Sequence, residues 1–405
     1  MKIKLSNTSY YKKAALARSG GRLFYQIMNR LLLSIFALLL LVSCKNEDEP
    51  FVEPTVERTV LVWLAGDNNL SSEVPRKISA LAQGYLSAKQ PNTRLLIYAD
   101  RRNDYPQLIE VVGQGELKII ATYPAHNSAS PETLNRMLTE MLETAPAKSY
   151  SLIVFSHATG WLPTGALEHP TDYFESKSLS RSIFDDNGDQ MAISDFADAL
   201  PCKFDYIVFE NCFTAGIEVA YELRHKADRI LVSSAEILSP GFEEIYSSSL
   251  GLLMQPNADL NGFAQKYYEY RNTMSGNSRS ATVSVINTSA IEPLADLVRS
   301  IESSSEPIPE EDLPLMQRFN RHNYTLFFDL AEYLEMRAPE REVEINAAIN
   351  NAVDFAANTS TFMPGSSYNG FYIYRHCGLA TYIPQSKFPE LNEEYYKTAW
   401  YKATH

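Results

Sequence analysis

Apolar runs alternate with segments of helical spacing through the middle of the chain. The run TVLVWLAG (59–66) is almost continuously apolar, as is typical of a strand buried on both faces. After a helical segment, TRLLIYAD (93–100) repeats this pattern, and QLIEVV and ELKIIATY predict an antiparallel excursion. The runs YSLIVFSH, FDYIVFEN and RILVSS predict further strands separated by helices. Strand–helix–strand alternation favours an α/β fold with a doubly wound, mostly parallel sheet and right-handed connections.

Several segments carry helix signals between and after these strands. SPETLNRMLTEMLETA opens with Ser130, followed by a proline and a glutamate, which is a typical helix start. ISDFADAL and GIEVAYELRHKA predict two more helices, and MRAPEREVEINAAINNAVDF predicts another near the C-terminus. We expect residues 290–405, rich in Tyr and Phe, to complete the fold rather than to form a separate module.

Two of the predicted strands end on residues with catalytic chemistry. His157 ends the strand YSLIVFSH, and Cys212 follows the strand FDYIVFEN. In open parallel sheets, ligands bind beyond the carboxyl ends of the strands, so neighbouring strands would direct both side chains into one crevice. A base activates a thiol, and the start of a helix after Cys212 favours thiolate. The residues therefore indicate a Cys–His pair for acyl transfer. The alternative is a buried cysteine and a strand-end histidine bonded to backbone.

The N-terminus predicts an exported, lipid-anchored protein. Residues 1–44 contain seven Lys or Arg and no Asp or Glu. Their apolar stretch, 31–42, is shorter than the roughly 20 residues that span a bilayer, so it indicates a signal peptide. LVSC (41–44) resembles the lipobox of bacterial lipoproteins, which implies lipid attachment at Cys44. The alternative is an ordinary signal peptide in which Cys44 is incidental. A start at Met28 would give the signal an ordinary length.

Residues 45–57, KNEDEPFVEPTVE, predict a solvated acidic tether. An acidic run after the lipidated cysteine also resembles the surface-export signal of Bacteroidetes lipoproteins. It implies attachment to the outer membrane at the cell surface, and a periplasm-facing anchor is the alternative.

Charge and cysteine content narrow the function further. Removing the seven basic residues of the signal leaves 29 basic against 49 acidic residues, a net charge of −20. Nucleic-acid binding needs a basic face, so this balance argues against it. Besides Cys44 the chain has Cys202, Cys212 and Cys377, and three thiols leave at least one unpaired. No Cys or His spacing typical of a metal site occurs.

Together the histidine and cysteine motifs resemble the clostripain family of cysteine peptidases, in the caspase–legumain–gingipain clan. SHATGW is similar to the family's H-G-x-G-W stretch and FENC to its F-D-A-C stretch, and the likeness extends over roughly 57–405. The resemblance implies that residues 58–405 form a caspase-like three-layer α/β/α peptidase domain. It implies an endopeptidase acting on proteins or peptides as a monomer, in which Cys212 attacks the carbonyl and His157 protonates the leaving amine. The N–H groups of Cys212 and Ala158 would hold the oxyanion.

Departures from the family pattern affect the substrate pocket. Ala158 replaces the glycine after the histidine and would be strained there at positive φ. Glu210 replaces an aspartate that lines the pocket for a basic P1 side chain, so we expect a preference for Arg or Lys. The alternative is that Glu210 caps the next helix. Where some relatives have a further aspartate downstream, this chain has ILSPGF without a carboxylate.

Two polar segments lie between the motifs. Family members often cleave themselves between the histidine and the cysteine, and Lys177 is the expected cleavage site here, with a plain surface loop as the alternative. The segment DDNGD (185–189) offers Asp185, Asp186 and Asp189 as calcium ligands, but a turn explains the same residues. No other cofactor is expected.

A non-enzymatic function is the main alternative. A catalytically inactive surface lipoprotein with a peptidase fold, binding a protein or a glycan, would explain Ala158, Glu210 and the missing downstream carboxylate. The retained Cys212 and His157 argue against it.

Overall fold

The computed structural model describes residues 56–171 and 184–405. The strands are β1 (Arg58–Gly66), β2 (Thr93–Arg101), β3 (Gln107–Val112), β4 (Glu116–Thr122), β5 (Ser149–Phe155), β6 (Phe184–Asp186), β7 (Asp189–Met191), β8 (Phe204–Glu210), β9 (Ala227–Val232), β10 (Thr282–Asn287), β11 (Phe328–Asp329), β12 (Val353–Asn358), β13 (Thr361–Phe362), β14 (Phe371–Tyr372) and β15 (Ala380–Thr381). The helices are α1 (Val74–Ala88), α2 (Pro131–Thr144), α3 (Ile193–Ala199), α4 (Ile217–Leu223), α5 (Glu243–Met254), α6 (Leu260–Thr273), α7 (Ile291–Glu302), α8 (Leu330–Arg337), α9 (Glu342–Ala352), α10 (Pro389–Tyr396) and α11 (Ala399–Thr404).

Nine strands form one sheet in the order β12-β10-β9-β8-β5-β1-β2-β3-β4. The five central strands, from β9 to β2, run parallel. The strands at both edges, β3 with β4 and β10 with β12, pair antiparallel. The predicted parallel sheet and the antiparallel excursion after β2 are therefore confirmed.

Helices cover both faces of this sheet, and β1 shows why. Val60, Val62 and Leu64 pack into one core with α1, α5 and α6. The alternate residues, of which Trp63 is the largest, pack into a second core with α2, α3, α4 and α7. A strand buried on both faces needs apolar residues at every position, which accounts for its continuous apolar run. The predicted three-layer α/β/α arrangement is confirmed.

Local signals set several element boundaries. The Ser130 side chain accepts a hydrogen bond from the N–H of Thr133 and caps α2, as predicted. The single helix predicted over MRAPEREVEINAAINNAVDF was too long. Pro339 follows the end of α8, and α9 stops at Ala352, where the chain enters β12 and pairs with β10. A proline cannot continue the first helix, and the β-branched and aromatic residues after Ala352 suit the sheet edge.

The C-terminal third of the chain packs onto the sheet domain. The Ala380 N–H donates to the carbonyl of Ala215, shortly after Cys212, at 2.9 Å. Side chains from this segment, among them Phe327, Tyr382 and Trp400, lie in the core that contains Trp63. Within residues 56–171 and 184–405, no helix has the length and apolar character needed to cross a membrane.

Candidate active site

The register between β5 and β8 brings the two predicted catalytic residues to one place. The two strands are parallel neighbours, and Phe155 pairs with Glu210. His157 and Cys212 each lie two residues beyond that pair, at the carboxyl edge of the sheet. Both residues line the same cavity of about 250 Å³. Its lining consists of Leu70, Glu73, Phe155, Ser156, His157, Glu210, Cys212, Glu236, Ile237, Leu238, Ser239, Gly241 and Arg321.

A glycine lets the histidine loop pack against the cysteine loop. Gly160 has φ +67°, and a Cβ there would lie 2.6 Å from the carbonyl oxygen of Phe213. Phe213, directly after Cys212, also has positive φ, +57°, which is costly for a residue with a side chain. Its N–H donates to the carbonyl of Ala235, and its ring stacks on Phe327. These contacts hold the backbone after Cys212 in a sharp turn.

His157 is oriented by a residue from another strand end. Its Nε2 lies 2.5 Å from the Oδ1 of Asn69, so Nε2 carries the proton of the neutral ring and donates it to Asn69. Burial lowers the pKa of His157, while the carboxylates of Asp185 and Glu73 oppose that shift. The neutral imidazole therefore keeps an unprotonated Nδ1, which can act as a base.

The loop after β1 positions Asn69. The Asn68 side chain accepts from the N–H of Leu70 at 2.8 Å, which makes an Asx turn. Its amide donates to the carbonyl of Asp185 at 2.8 Å, and this bond ties the loop to the β6–β7 hairpin. The loop is thus fixed on both sides of Asn69.

The resting state of Cys212 is a thiol. Burial raises its pKa to about 12, and the carboxylate of Glu236 adds to the shift. A backbone hydrogen bond from Ile237 and the guanidinium of Arg321 act in the opposite direction without reversing it. Because the thiol and the imidazole are both neutral, the nucleophile needs a base at the moment of attack.

Glu210 lines the cavity, and three donors bond to its two oxygens. Oε1 accepts from the ammonium of Lys77 at 2.6 Å and from the N–H of Phe242 at 2.5 Å. Oε2 accepts from the hydroxyl of Tyr246 at 2.8 Å. Burial raises the pKa of Glu210, and the nearby ammonium and the other donors act against that rise. The Glu210 side chain is only 1% exposed.

Lys77 itself is a buried cation of α1. Its side chain is fully buried, and its ammonium also donates to the carbonyl of Pro240 at 2.7 Å. It lies 3.7 Å from the Glu73 carboxylate and 4.2 Å from the centre of the Phe155 ring. Lys77 thus joins α1 to the floor of the cavity.

A second ion pair stands on the cavity wall beside Cys212. Arg321 reaches Oε1 of Glu236 with Nε at 2.9 Å and Nη2 at 2.8 Å. Oε2 of Glu236 is buried and has no hydrogen-bond partner among the described residues. The cavity wall therefore contains a carboxylate, one oxygen of which is buried and has no donor in the described part of the chain.

The other predicted site residues have the following places. Ala158 is buried and is not among the described residues with positive φ, so the strain considered for an alanine does not arise. Asp185 accepts from the amide of Gln190, Asp186 from the N–H of Ser128, and Asp189 from the amide of Asn127.

These three aspartates belong to the β6–β7 hairpin, whose turn is made by Asn187 and Gly188, both with positive φ. Among residues 56–171 and 184–405, no group of three or more His, Cys, Asp or Glu side chains is arranged to hold a metal ion. Cys44 and Lys177 lie outside the described residues.

Sequence reasoning missed Asn69, Lys77 and Glu236. Lys77 had a detectable signal, because it shares the apolar face of α1 with Val74 and Leu81. Asn69 and Glu236 follow strands β1 and β9, and strand ends are where a parallel sheet collects ligand-binding residues. No local pattern distinguishes either from an ordinary loop residue.

The sheet, its helical layers, and the thiol and imidazole at its carboxyl edge define the class of caspase-like cysteine peptidases. Residues 62–362 match the model of the clostripain family, Peptidase_C11. The chain therefore belongs to the clostripain family, and it is a cysteine-type endopeptidase by class.

Solved structures of C11 proteases resemble the chain over most of its length. An inactive zymogen of a C11 protease from Parabacteroides distasonis is 31% identical, with a TM-score of 0.75 over 87% of this chain and 100% of that one. A secreted C11 cysteine protease from Bacteroides thetaiotaomicron has a TM-score of 0.77 at 24% identity, over 87% and 100% of the two chains. A complex of such a protease with an irreversible peptide inhibitor has a TM-score of 0.73 at 24% identity, over 86% and 98%. These last two likenesses concern the fold alone. No curated protein matches the chain.

Proposed function

We propose that this protein hydrolyses peptide bonds through a dyad of Cys212 and His157. The observation that carries the proposal is the β5–β8 register, which places both side chains in one cavity at the carboxyl edge of the sheet. Neither group is charged at rest, so the imidazole accepts the thiol proton as the sulfur attacks the peptide carbonyl.

The reaction proceeds by acyl transfer. Cys212 Sγ bonds to the carbonyl carbon, and its proton passes to His157, which then delivers it to the leaving amine as the C–N bond breaks. A water molecule attacks the thioester, gives a proton to His157, and releases the acid and the thiol. The N–H groups of Cys212 and Ala158 stabilise the oxyanion in both halves.

The substrate side chain before the cleaved bond is Arg or Lys. Three carboxylates surround the cavity, those of Glu73, Glu210 and Glu236, against two cations, Lys77 and Arg321. With His157 neutral, this group is one positive charge short, and a single basic P1 side chain would balance it. Oxygen atoms of carboxylates pair well with guanidinium and ammonium groups.

The signal peptide, the acidic tether and the loop that contains Lys177 support a proposal for the location and maturation of the enzyme. We infer lipid attachment at Cys44, export to the outer membrane, and a surface-exposed catalytic domain acting on proteins or peptides. Self-cleavage after Lys177 completes the proposal. The carboxylates of Asp185, Asp186 and Asp189 bond to donors of the protein itself, so the proposal includes no calcium site.

A binding protein with an inactive peptidase site is the second candidate. The bonding of Glu210 to Lys77, Phe242 and Tyr246 is the observation that favours it, since the carboxylate expected to receive a basic substrate side chain is bonded to the protein itself.

One experiment separates the two candidates. Purified protein is assayed against fluorogenic peptides with Arg, Lys, Asp or Asn at P1, with calcium and with a chelator, beside a Cys212→Ala variant. Hydrolysis after Arg or Lys that disappears in the variant supports the enzyme. No hydrolysis of any peptide by the folded protein supports the binding protein.

A further inference from the structure

Three carboxylates line the cavity, and two of them, Glu210 and Glu236, differ in how many donors their oxygens already have. Glu210 stands at the sequence position expected to bind a basic P1 side chain, yet three donors already occupy its oxygens. A Cβ on Gly241 would lie 2.1 Å from Oε1 of Glu210, so the backbone closes directly over this carboxylate. A substrate cation would therefore have to displace Lys77, a fully buried ammonium with its own backbone partner.

Glu236, unlike Glu210, has an oxygen without a hydrogen-bond donor among the described residues. Both contacts from Arg321 go to Oε1, which leaves Oε2 buried without a donor among the described residues. A buried oxygen without a donor is unfavourable, and a ligand that supplies an N–H to it gains the difference. A carboxylate has room for a second cation, since its two oxygens accept about four hydrogen bonds.

The position of Glu236 fits a P1 contact. It lines the same cavity as Cys212, and its charge acts on the thiol. A P1 side chain leads away from the carbonyl that the thiol attacks, so its cationic end reaches the cavity wall. Leu238 and Phe155 supply apolar lining along which the methylene chain of Arg or Lys can lie.

We propose that Glu236 is the specificity-determining residue that receives the basic P1 side chain, while the Lys77–Glu210 ion pair is an internal support of the cavity floor. This inference rests on the proposed peptidase activity and deepens it. It assigns selectivity for a basic P1 side chain to Glu236, in the loop after β9, instead of to Glu210 at the end of β8.

The test compares two peptides that differ only at P1, one with arginine and one with citrulline, its uncharged isostere. In the wild-type enzyme the ratio of kcat/KM for arginine over citrulline reports recognition of the charge. Glu236→Gln should lower this ratio by about 10- to 100-fold, the usual value of a hydrogen bond to a charged group. The ratio cancels the effect that losing this charge has on the Cys212 thiol, because that effect is the same for both peptides.

Glu243→Gln is a closely matched control. Glu243 also takes an arginine on Oε1, from Arg76 at 3.0 Å, and also has a buried Oε2 without a partner among the described residues. Its side chain is 15% exposed against 13% for Glu236, but it does not line the cavity. This variant should keep the wild-type ratio.

A double variant, Lys77→Met with Glu210→Gln, tests the other half of the inference. It removes both charges of the pair together, so that no uncompensated charge stays buried. We expect the arginine-to-citrulline ratio to remain within about threefold of wild type, because Glu236 and not Glu210 is proposed to receive the P1 side chain. A loss of about 1.4 kcal/mol in recognition of the charge would instead lower the ratio tenfold. If Glu236→Gln does not fold, this variant still tests the proposal, because a collapsed ratio would assign recognition of P1 to the Lys77–Glu210 pair.

The outcomes are distinct. A ratio that collapses in the double variant, or that persists in a folded Glu236→Gln, overturns the assignment while the peptidase activity stands. A wild-type enzyme that hydrolyses neither peptide, or one whose hydrolysis survives Cys212→Ala, contradicts the proposed function and the inference with it.

Discussion

His157 donates from Nε2 to the Oδ1 of Asn69 across 2.5 Å, and this contact joins the ends of two neighbouring parallel strands. It leaves Nδ1 of His157 as the unprotonated nitrogen of the neutral ring. The tautomer of the proposed catalytic base is thus set by an exposed asparagine from the loop after β1.

Replacing Asn69 by aspartate should raise the pKa of His157. A carboxylate next to the ring favours the protonated imidazole, and an opposite charge at this distance moves a pKa by about one unit or more. The acid limb of the kcat/KM–pH profile should therefore shift upward by about one unit. Asn257→Asp adds the same charge at an exposed position that does not line the cavity, and the limb should stay in place. An unchanged acid limb in Asn69→Asp would contradict the proposal that Asn69 contacts the catalytic base.

The thiol of Cys212 should react as a neutral group in the free enzyme. With a pKa of about 12, its thiolate fraction rises about tenfold per pH unit through the neutral range. The rate of iodoacetamide alkylation, measured by mass spectrometry of the Cys212 peptide, should increase steadily from about pH 6 to about pH 9. A rate that is constant between about pH 5 and pH 8 would show a preformed thiolate–imidazolium pair instead.

Buried Glu218 should make the fold less stable as pH rises. Burial raises its pKa to about 7, and although Oε1 accepts from the N–H of Tyr382, Oε2 has no partner among the described residues. The folded pKa lies above the unfolded value, so the stability of the protonated form is complete at low pH and is lost between about pH 4.5 and pH 7.

Glu218→Gln removes this dependence. Near pH 8 it should stabilise the protein by roughly 3 kcal/mol relative to wild type, and near pH 4 the two should have similar free energies of unfolding. Denaturant unfolding at both pH values measures the difference, with the exposed Glu340→Gln as the control. Equal effects of Glu218→Gln at both pH values would contradict the assignment.

Gly160→Ala should damage stability and activity together. The added Cβ would stand 2.6 Å from the carbonyl oxygen of Phe213, and the residue has φ +67°. Positive φ alone costs alanine about 1–2 kcal/mol, and the contact adds to it by forcing the histidine and cysteine loops apart.

Gly188→Ala separates the conformational cost of a positive φ from the steric contact with Phe213. Gly188 has φ +94°, but a Cβ there would meet nothing within 4 Å, so only the conformational cost applies. Thermal unfolding should show both variants destabilised, with Gly160→Ala the more so, and kcat/KM should fall only in Gly160→Ala. Wild-type activity in Gly160→Ala would mean that the two loops do not depend on their close packing.

The parts of the site that the sequence predicted are those with local signals. Continuous apolar runs mark strands buried on both faces, and both His157 and Cys212 directly follow such runs. Whether the two strands lie next to each other in the sheet could not be predicted from the sequence, because strand order depends on contacts between residues far apart in the chain.

The missed features depend on long-range contacts. Glu210 and Lys77 are 133 residues apart, so the engagement of the predicted P1 carboxylate has no local trace. Likewise Arg321 and Glu236 meet from segments 85 residues apart. The predicted helix ran into β12 because the pairing of β12 with β10 joins residues far apart in the chain, and the short sequence of β12 does not reveal it.

The most direct test of the central claim is covalent labelling by a peptide with an irreversible thiol-reactive group and arginine at P1. Intact-mass and peptide mapping should place one label on Cys212, and His157→Ala should slow the labelling by about 10²- to 10⁴-fold, the usual contribution of a general base. Labelling on Cys202 or Cys377, or an unchanged rate in His157→Ala, would contradict the Cys212–His157 dyad.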